Sequence, residues 1–178
     1  MQLVILDRDG VINKDSDDFV KSPEEWQSIP GSPEAIARLT HANYRVVVAT
    51  NQSGMGRGLF DVGVFNRINE KMLREISNAG GRIDGIFYCP HRPDEGCKCR
   101  KPEPGLFIEI CNRLHCDLAG VPAIGDSMRD IKAARKVNAR PILVRTGKGR
   151  ATEAHKKELG DTEVYDDLAS AVDALLSA

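Results

Sequence analysis

The chain has 178 residues, room for one ordinary domain over 1–178 and little for a second. With 41% hydrophobic and 29% charged residues it can bury a core without disulfides, and Lys+Arg 25 against Asp+Glu 26 excludes non-specific attraction to nucleic acid or anionic lipid. The aliphatic run near the start ends at Asp7, too short for a signal segment or a membrane span, so the expectation is a soluble, cytoplasmic monomer.

In chain order, the apolar run 3–6 is the first predicted strand. Ser32-Pro33-Glu34 follows as a helix cap with proline in the first turn, ahead of Ile36 and Leu39. A second strand at 45–49 precedes Asp61, which is placed to cap a helix carrying Val64, Phe65, Ile68, Met72 and Ile76 on one face. Gly80-Gly81 should stop that helix. Strands at 83–88, 121–124 and 142–144 alternate with helices at 106–114 and 127–137. Leu168, Ala171, Val172, Leu175 and Leu176 form a last helical stripe. Continuous apolar strands separated by helices predict an α/β chain, a doubly wound and mainly parallel sheet. Ligands of such sheets bind beyond the carboxyl ends of the strands.

Those ends carry the chemistry. The first strand runs into Asp7-Arg8-Asp9-Gly10, where residues two apart can share a crevice. Two carboxylates there need a shared proton or a cation, and Mg²⁺ is the usual oxygen-bound ion. The second strand ends in Thr50-Asn51-Gln52-Ser53-Gly54, a source of hydroxyl, amide and N–H donors for an anion. Gly125-Asp126-Ser127 with Asp130 adds further carboxylates, and Arg100-Lys101 adds positive charge. Carboxylates, one lysine and an anion cradle suit phosphoryl transfer. Ser53 is not on a nucleophile elbow, and Gly54-Met55-Gly56-Arg57-Gly58 lacks the strand and helix of a nucleotide loop. That stretch is expected to be a mobile loop at the edge of the site.

There are five cysteines and no export signal to accompany them. Cys89, His91, Cys97 and Cys99 offer three sulfurs and a nitrogen, a set suited to a structural tetrahedral Zn²⁺ that would also position Arg100 and Lys101. Cys111 and Cys116 read as small core fillers.

Taken in order, Asp7-Arg8-Asp9-Gly10-Val11, Thr50, Lys101 and Gly125-Asp126-Ser127 with Asp130 resemble the four motifs of the haloacid dehalogenase-like phosphatases. The resemblance implies Asp7 as a nucleophile forming an aspartyl-phosphate and Asp9 as general acid and then base. It implies Mg²⁺ on Asp7, Asp126 and the backbone carbonyl of Asp9, with Asp130 supporting the site and Thr50 and Lys101 on the phosphoryl oxygens. The zinc loop, together with 7–15, Pro30-Gly31-Ser32, 49–54 and Gly56-Arg57-Gly58, is similar to the minimally capped branch of heptose bisphosphate and histidinol-phosphate phosphatases.

This branch implies removal of the C7 phosphate of a heptose 1,7-bisphosphate in lipopolysaccharide core synthesis, with histidinol phosphate as the alternative substrate. Specificity for such a small sugar phosphate should come from short loops. Asp15 and Asp18 are candidates for the hydroxyls, Asn51, Gln52 and Ser53 for the opposite wall, and Arg100 for the far phosphate. Two rival readings are weaker. A receiver domain needs an acceptor Asp where Phe87-Tyr88-Cys89 stands. A zinc-based nucleic-acid module needs more than the four Lys/Arg against two Asp/Glu between Cys89 and Lys101.

Overall fold

The computed structural model describes residues 2–177. Six strands, β1 (Gln2–Leu6), β2 (Tyr44–Asn51), β3 (Gly85–Cys89), β4 (Pro122–Gly125), β5 (Arg140–Val144) and β6 (Glu163–Tyr165), form one sheet in the order β3-β2-β1-β4-β5-β6. Every pairing is parallel. The helices are α1 (Ser32–His41), α2 (Ser53–Gly56), α3 (Val62–Asn78), α4 (Gly105–Leu114), α5 (Met128–Lys136), α6 (Gly149–Glu153), α7 (Lys156–Leu159) and α8 (Leu168–Ser177).

Both sheet faces are covered, and the strand sequences show why. In β1, Val4 and Leu6 face one core with Val46, Val48, Ile124 and Ile142, under Ile36 and Leu39 of α1, Ile68 and Met72 of α3 and Val172 of α8. The alternate residues Leu3 and Ile5 join Val47, Ala49 and Ala123 beneath Leu106, Phe107 and Ile110 of α4 and Ala133 and Ala134 of α5. Period-two side chains buried on both sides give the unbroken apolar runs of a covered parallel sheet. The chain winds outward from β1 through β2 to β3, then returns to the other side of β1 with β4. The reversal opens a crevice at the carboxyl ends of β1 and β4.

Local chemistry sets the element ends. The Asp61 carboxylate accepts the Val64 N–H at 2.8 Å and caps α3, worth about 1 kcal/mol. Ser127 caps α5 in a reciprocal box with Asp130.

Several expectations change. The cap of α1 is Gly31 at φ 86°, and Ser32 lies inside the helix with its hydroxyl donating to the Val11 carbonyl at 2.8 Å. A backbone in the left-handed region favours glycine over serine. The strand expected at 83–88 runs from Gly85 to Cys89, because Asp84 instead accepts the Val46 N–H with its side chain. Leu176 is 39% exposed and leaves the buried stripe of α8. Residues expected to be a mobile loop begin with the turn α2, where Gly56 N–H donates to the Pro90 carbonyl at 3.0 Å. The edge strand β6 and the short helices α6 and α7 lack the long apolar runs that would have revealed them.

Candidate active site

Asp7 leaves β1 at the crevice, Asp126 follows β4, Thr50 is the penultimate residue of β2, and Lys101 arrives on the loop before α4. Lys101 is buried. Its Nζ lies 3.0 Å from Asp7 Oδ1 and 2.6 Å from Asp130 Oδ1, and it donates to the Ala49 carbonyl at 2.7 Å. Burial opposes the charge, but Asp130 and Asp7 outweigh it and hold the ammonium above its usual value. Burial likewise works against Asp130, whose carboxylate is nevertheless held low by Lys101 and by the Ser127 hydroxyl and N–H at 2.7 and 3.0 Å.

The other two carboxylates are not relieved in this way. Burial, and then the charges of neighbouring aspartates against the pull of Lys101, push Asp7 up to about 7. Burial, followed by Asp7 and Asp130, pushes Asp126 up to about 8. Ligand oxygens of Asp7, Asp126 and Asp130 lie within 4.8 Å of one another. Since both Asp130 oxygens are engaged by Lys101 and Ser127, Asp7 and Asp126 remain to face a cation. Asp126 is locked from behind. Its Oδ2 accepts the Lys148 N–H at 2.8 Å, and a Cβ on either Gly10 or Gly147 would run into this carboxylate. Buried oxygens that raise one another's pKa are the donor set Mg²⁺ requires.

Asp9 is turned to a different set of partners. Arg8 Nε and Nη2 approach Oδ1 at 3.2 and 3.0 Å, Asn13 Nδ2 donates to the same oxygen at 2.9 Å, and Gln52 Nε2 donates to Oδ2 at 2.8 Å. Gln52 also donates to Thr50 Oγ1 at 2.8 Å and is buried. The amide expected at the sugar wall is thus committed to Asp9 and Thr50. Asn51 is committed too: its side-chain amide donates to the Lys101 carbonyl and accepts the Lys101 N–H, both at 3.0 Å, which clamps the lysine backbone to β2.

A cavity of about 310 Å³ opens over these groups. Asp7, Asp9, Asn51, Gln52, Ser53, Arg100, Lys101 and Asp126 line it, as does Asp15, whereas Asp18 lies beside a neighbouring cavity on the outer side of the same loop. Three cations that the sequence patterns did not single out also face it: Arg57, Arg129 and Lys148. Lys148 Nζ is 3.4 Å from Asp15. Arg57, Arg100 and Arg129 pair with no carboxylate among the described residues. Arg57 stacks over Phe19, and Arg100 Nη1 reaches only the His91 carbonyl at 3.5 Å. Burial, then the Arg129 and Arg57 charges, hold the Arg100 guanidinium below its usual value. Clustered, unneutralised guanidiniums can receive an anion. Arg129 could have been suspected from its place in the first turn after Gly125-Asp126-Ser127; nothing local marks Lys148.

Cys89 at the end of β3 gathers a cluster of Cys/His side chains. Sγ–Sγ separations among Cys89, Cys97 and Cys99 are 3.2 to 3.6 Å, and His91 Nδ1 lies 3.4 and 3.2 Å from Cys89 and Cys99. Metal–sulfur bonds of about 2.3 Å at tetrahedral angles put sulfurs roughly 3.8 Å apart, so the set fits Zn²⁺ with a slight expansion. The Gln52 N–H donates to the Cys89 carbonyl at 2.8 Å and ties this loop to the crevice. Among the described residues no helix is long and apolar enough to cross a membrane.

Comparison with known proteins agrees with this geometry. A HAD-hydrolase-like family profile matches residues 98–171. The D-glycero-β-D-manno-heptose-1,7-bisphosphate 7-phosphatase of Bordetella bronchiseptica is 56% identical over 176 residues, 99% of this chain and 98% of that one. The Pseudomonas aeruginosa protein of the same name is 49% identical, over 98% and 97%. A crystal structure of the B. bronchiseptica D,D-heptose 1,7-bisphosphate phosphatase with magnesium and phosphate superposes at TM-score 0.97, with 55% identity over 99% of both chains.

Proposed function

The chain belongs to the heptose-1,7-bisphosphate 7-phosphatases, a family of haloacid dehalogenase-like hydrolases, and from that membership we propose how its residues divide the reaction. It is a phosphoric monoester hydrolase that removes the C7 phosphate of D-glycero-D-manno-heptose 1,7-bisphosphate, a step towards the lipopolysaccharide core. One observation carries the residue-level reading. A single cavity holds the Asp7–Lys101–Asp126 cluster and, separately, three guanidiniums with no carboxylate partner. The substrate has two phosphates, one for each.

The catalytic ion is Mg²⁺, which Asp7, Asp126 and the Asp9 carbonyl would hold; when bound it neutralises charge on the transferred phosphoryl group. The Asp7 carboxylate attacks phosphorus as the bond to the C7 oxygen breaks, and the Asp9 carboxyl gives that oxygen its proton. A water then attacks the aspartyl-phosphate, Asp9 takes the water's proton, and the electron pair of the broken bond returns to Asp7. Lys101, fixed by Asp130 and Ala49, orients Asp7 and faces the phosphoryl oxygens with Thr50. Arg57, Arg100 and Arg129 hold the second phosphate, Asp15 and Ser53 meet hydroxyls, and Cys89, His91, Cys97 and Cys99 bind a structural Zn²⁺. The chain is further read as a cytoplasmic, single-domain monomer, and its near-neutral charge supports a small-molecule substrate rather than nucleic acid or an anionic lipid surface.

Phosphate release from the heptose 1,7-bisphosphate, from the heptose 7-phosphate and from histidinol phosphate tests the reading, with ³¹P NMR identifying the remaining ester. The bisphosphate should be preferred in kcat/KM and leave the 1-phosphate. A higher kcat/KM for histidinol phosphate, or a 7-phosphate product, would overturn it.

A further inference from the structure

Arg8 is the least expected side chain in the core. It stands between the two aspartates of the first motif, is 0% exposed, and leaves its Nη1 without a partner. A buried guanidinium with an unused N–H is a cost to folding, and an apolar side chain of similar size would often serve stability as well. Its contacts point elsewhere. Apart from Nη2 donating to Gln52 Oε1 at 3.1 Å and the ring of Phe65 5.9 Å away, the guanidinium is spent on Asp9.

The surrounding backbone makes this possible. The Arg8 carbonyl accepts N–H groups of Val11, Ile12 and Asn13, a tight turn that returns Asn13 to the side of Asp9. The Asp9 Oδ1 therefore accepts from Arg8 Nε, Arg8 Nη2 and Asn13 Nδ2. Oδ2 accepts from Gln52 at 2.8 Å and more distantly from Arg8 Nη2 at 3.2 Å. Gln52 in turn reaches Thr50 Oγ1, so one amide links the acid–base group to a phosphoryl-binding hydroxyl.

We propose that Arg8 is the positioning residue of the general acid–base: its guanidinium, with Asn13, saturates Oδ1 of Asp9 and leaves Oδ2 as the oxygen that exchanges the proton. The proposal rests on the reading of Asp9 given above. Oδ2 delivers its proton to the leaving alkoxide as the phosphorus–oxygen bond breaks, and recovers one from water as the aspartyl-phosphate is hydrolysed. Without the fork of Arg8 the carboxyl loses its aim, and only proton transfers should suffer.

The test separates aim from structure by leaving group. A p-nitrophenolate departs without a proton, whereas a sugar alkoxide needs one. In single-turnover quenched flow with magnesium, Arg8→Met should slow phosphorylation of Asp7 by the heptose bisphosphate about 10²-fold. Phosphorylation by p-nitrophenyl phosphate should change less than about 3-fold, and steady-state KM for the sugar should hold within the same factor. In an Asp9→Asn background Arg8→Met should add less than about 3-fold, since the group it aims is gone.

Equal slowing with both leaving groups, or an additive loss in the Asp9→Asn background, would overturn the proposal. If Arg8→Met does not fold, Arg8→Lys and Asn13→Ser, each keeping part of the set on Oδ1, must show the same leaving-group split, or the proposal is overturned. Should the heptose ester prove a poor substrate, the assignment of substrate falls. The Arg8 test then runs unchanged with any primary alkyl phosphate that is hydrolysed.

Discussion

Raising the pH should destabilise the magnesium-free protein. Asp7 and Asp126 titrate near 3.8 in the unfolded chain, but at about 7 and about 8 in the fold. Between those values the folded state binds more protons than the unfolded state, so stability falls as pH rises and levels off above about 8. Asp130 shifts the other way; its contribution is complete above its unfolded value and constant through this window. Lys101, held above its usual value, likewise stays charged throughout. From pH 5.5 to 8.5 about 1.5 pH units of the window remain for Asp7 and about 2.5 for Asp126, which at about 1.36 kcal/mol each gives on the order of 5 kcal/mol for the pair. For a chain of this size that is a fall of roughly 10–20 °C in Tm. Magnesium at 100 times its Kd should return about 2.7 kcal/mol at the higher pH and much less at the lower. Thermal unfolding followed by circular dichroism in chelator-free buffer, which leaves zinc in place, measures both. In Asp126→Asn the slope should flatten and the magnesium response disappear. A Tm that stays level or rises from pH 5.5 to 8.5 without magnesium would refute the argument that these carboxylates repel across a cation site.

Asp7→Asn should lower turnover at least about 10³-fold while leaving the fold intact, read by phosphate release and circular dichroism. Elemental analysis of fresh protein should find about one zinc per chain. Cys97→Ser should release it, raise hydrogen exchange across 89–101, and reduce kcat about 10-fold through the displaced Lys101. Arg129→Ala should raise KM for the bisphosphate about 10- to 100-fold, the worth of one charge-assisted contact, and leave KM for a monophosphate nearly unchanged.

Short-range chemistry was readable in the chain itself. The buried runs of β1, β2 and β5 announce a covered parallel sheet because both faces of each strand must be apolar. Asp61 marks the start of α3 because its carboxylate needs only the N–H three residues on. Aspartates following Leu6 and Gly125 mark strand ends because charge cannot continue into the core, and four Cys/His side chains within eleven residues can gather with no distant partner. What the chain could not reveal depends on residues brought together from far apart. Gln52 and Asn51 look like free amides, yet one is spent on Asp9 and Thr50 and the other on the backbone of Lys101, fifty positions away. Arg57, Arg100 and Arg129 come to face one cavity only because α2, the Cys/His loop and α5 meet over one crevice. Lys148 reaches Asp126 only after β5 is laid beside β4. Propensity and patterning act within a few residues and so can be read from sequence. The pairing of charges across the switch point is fixed by strand order, and that order is settled only when the whole sheet packs.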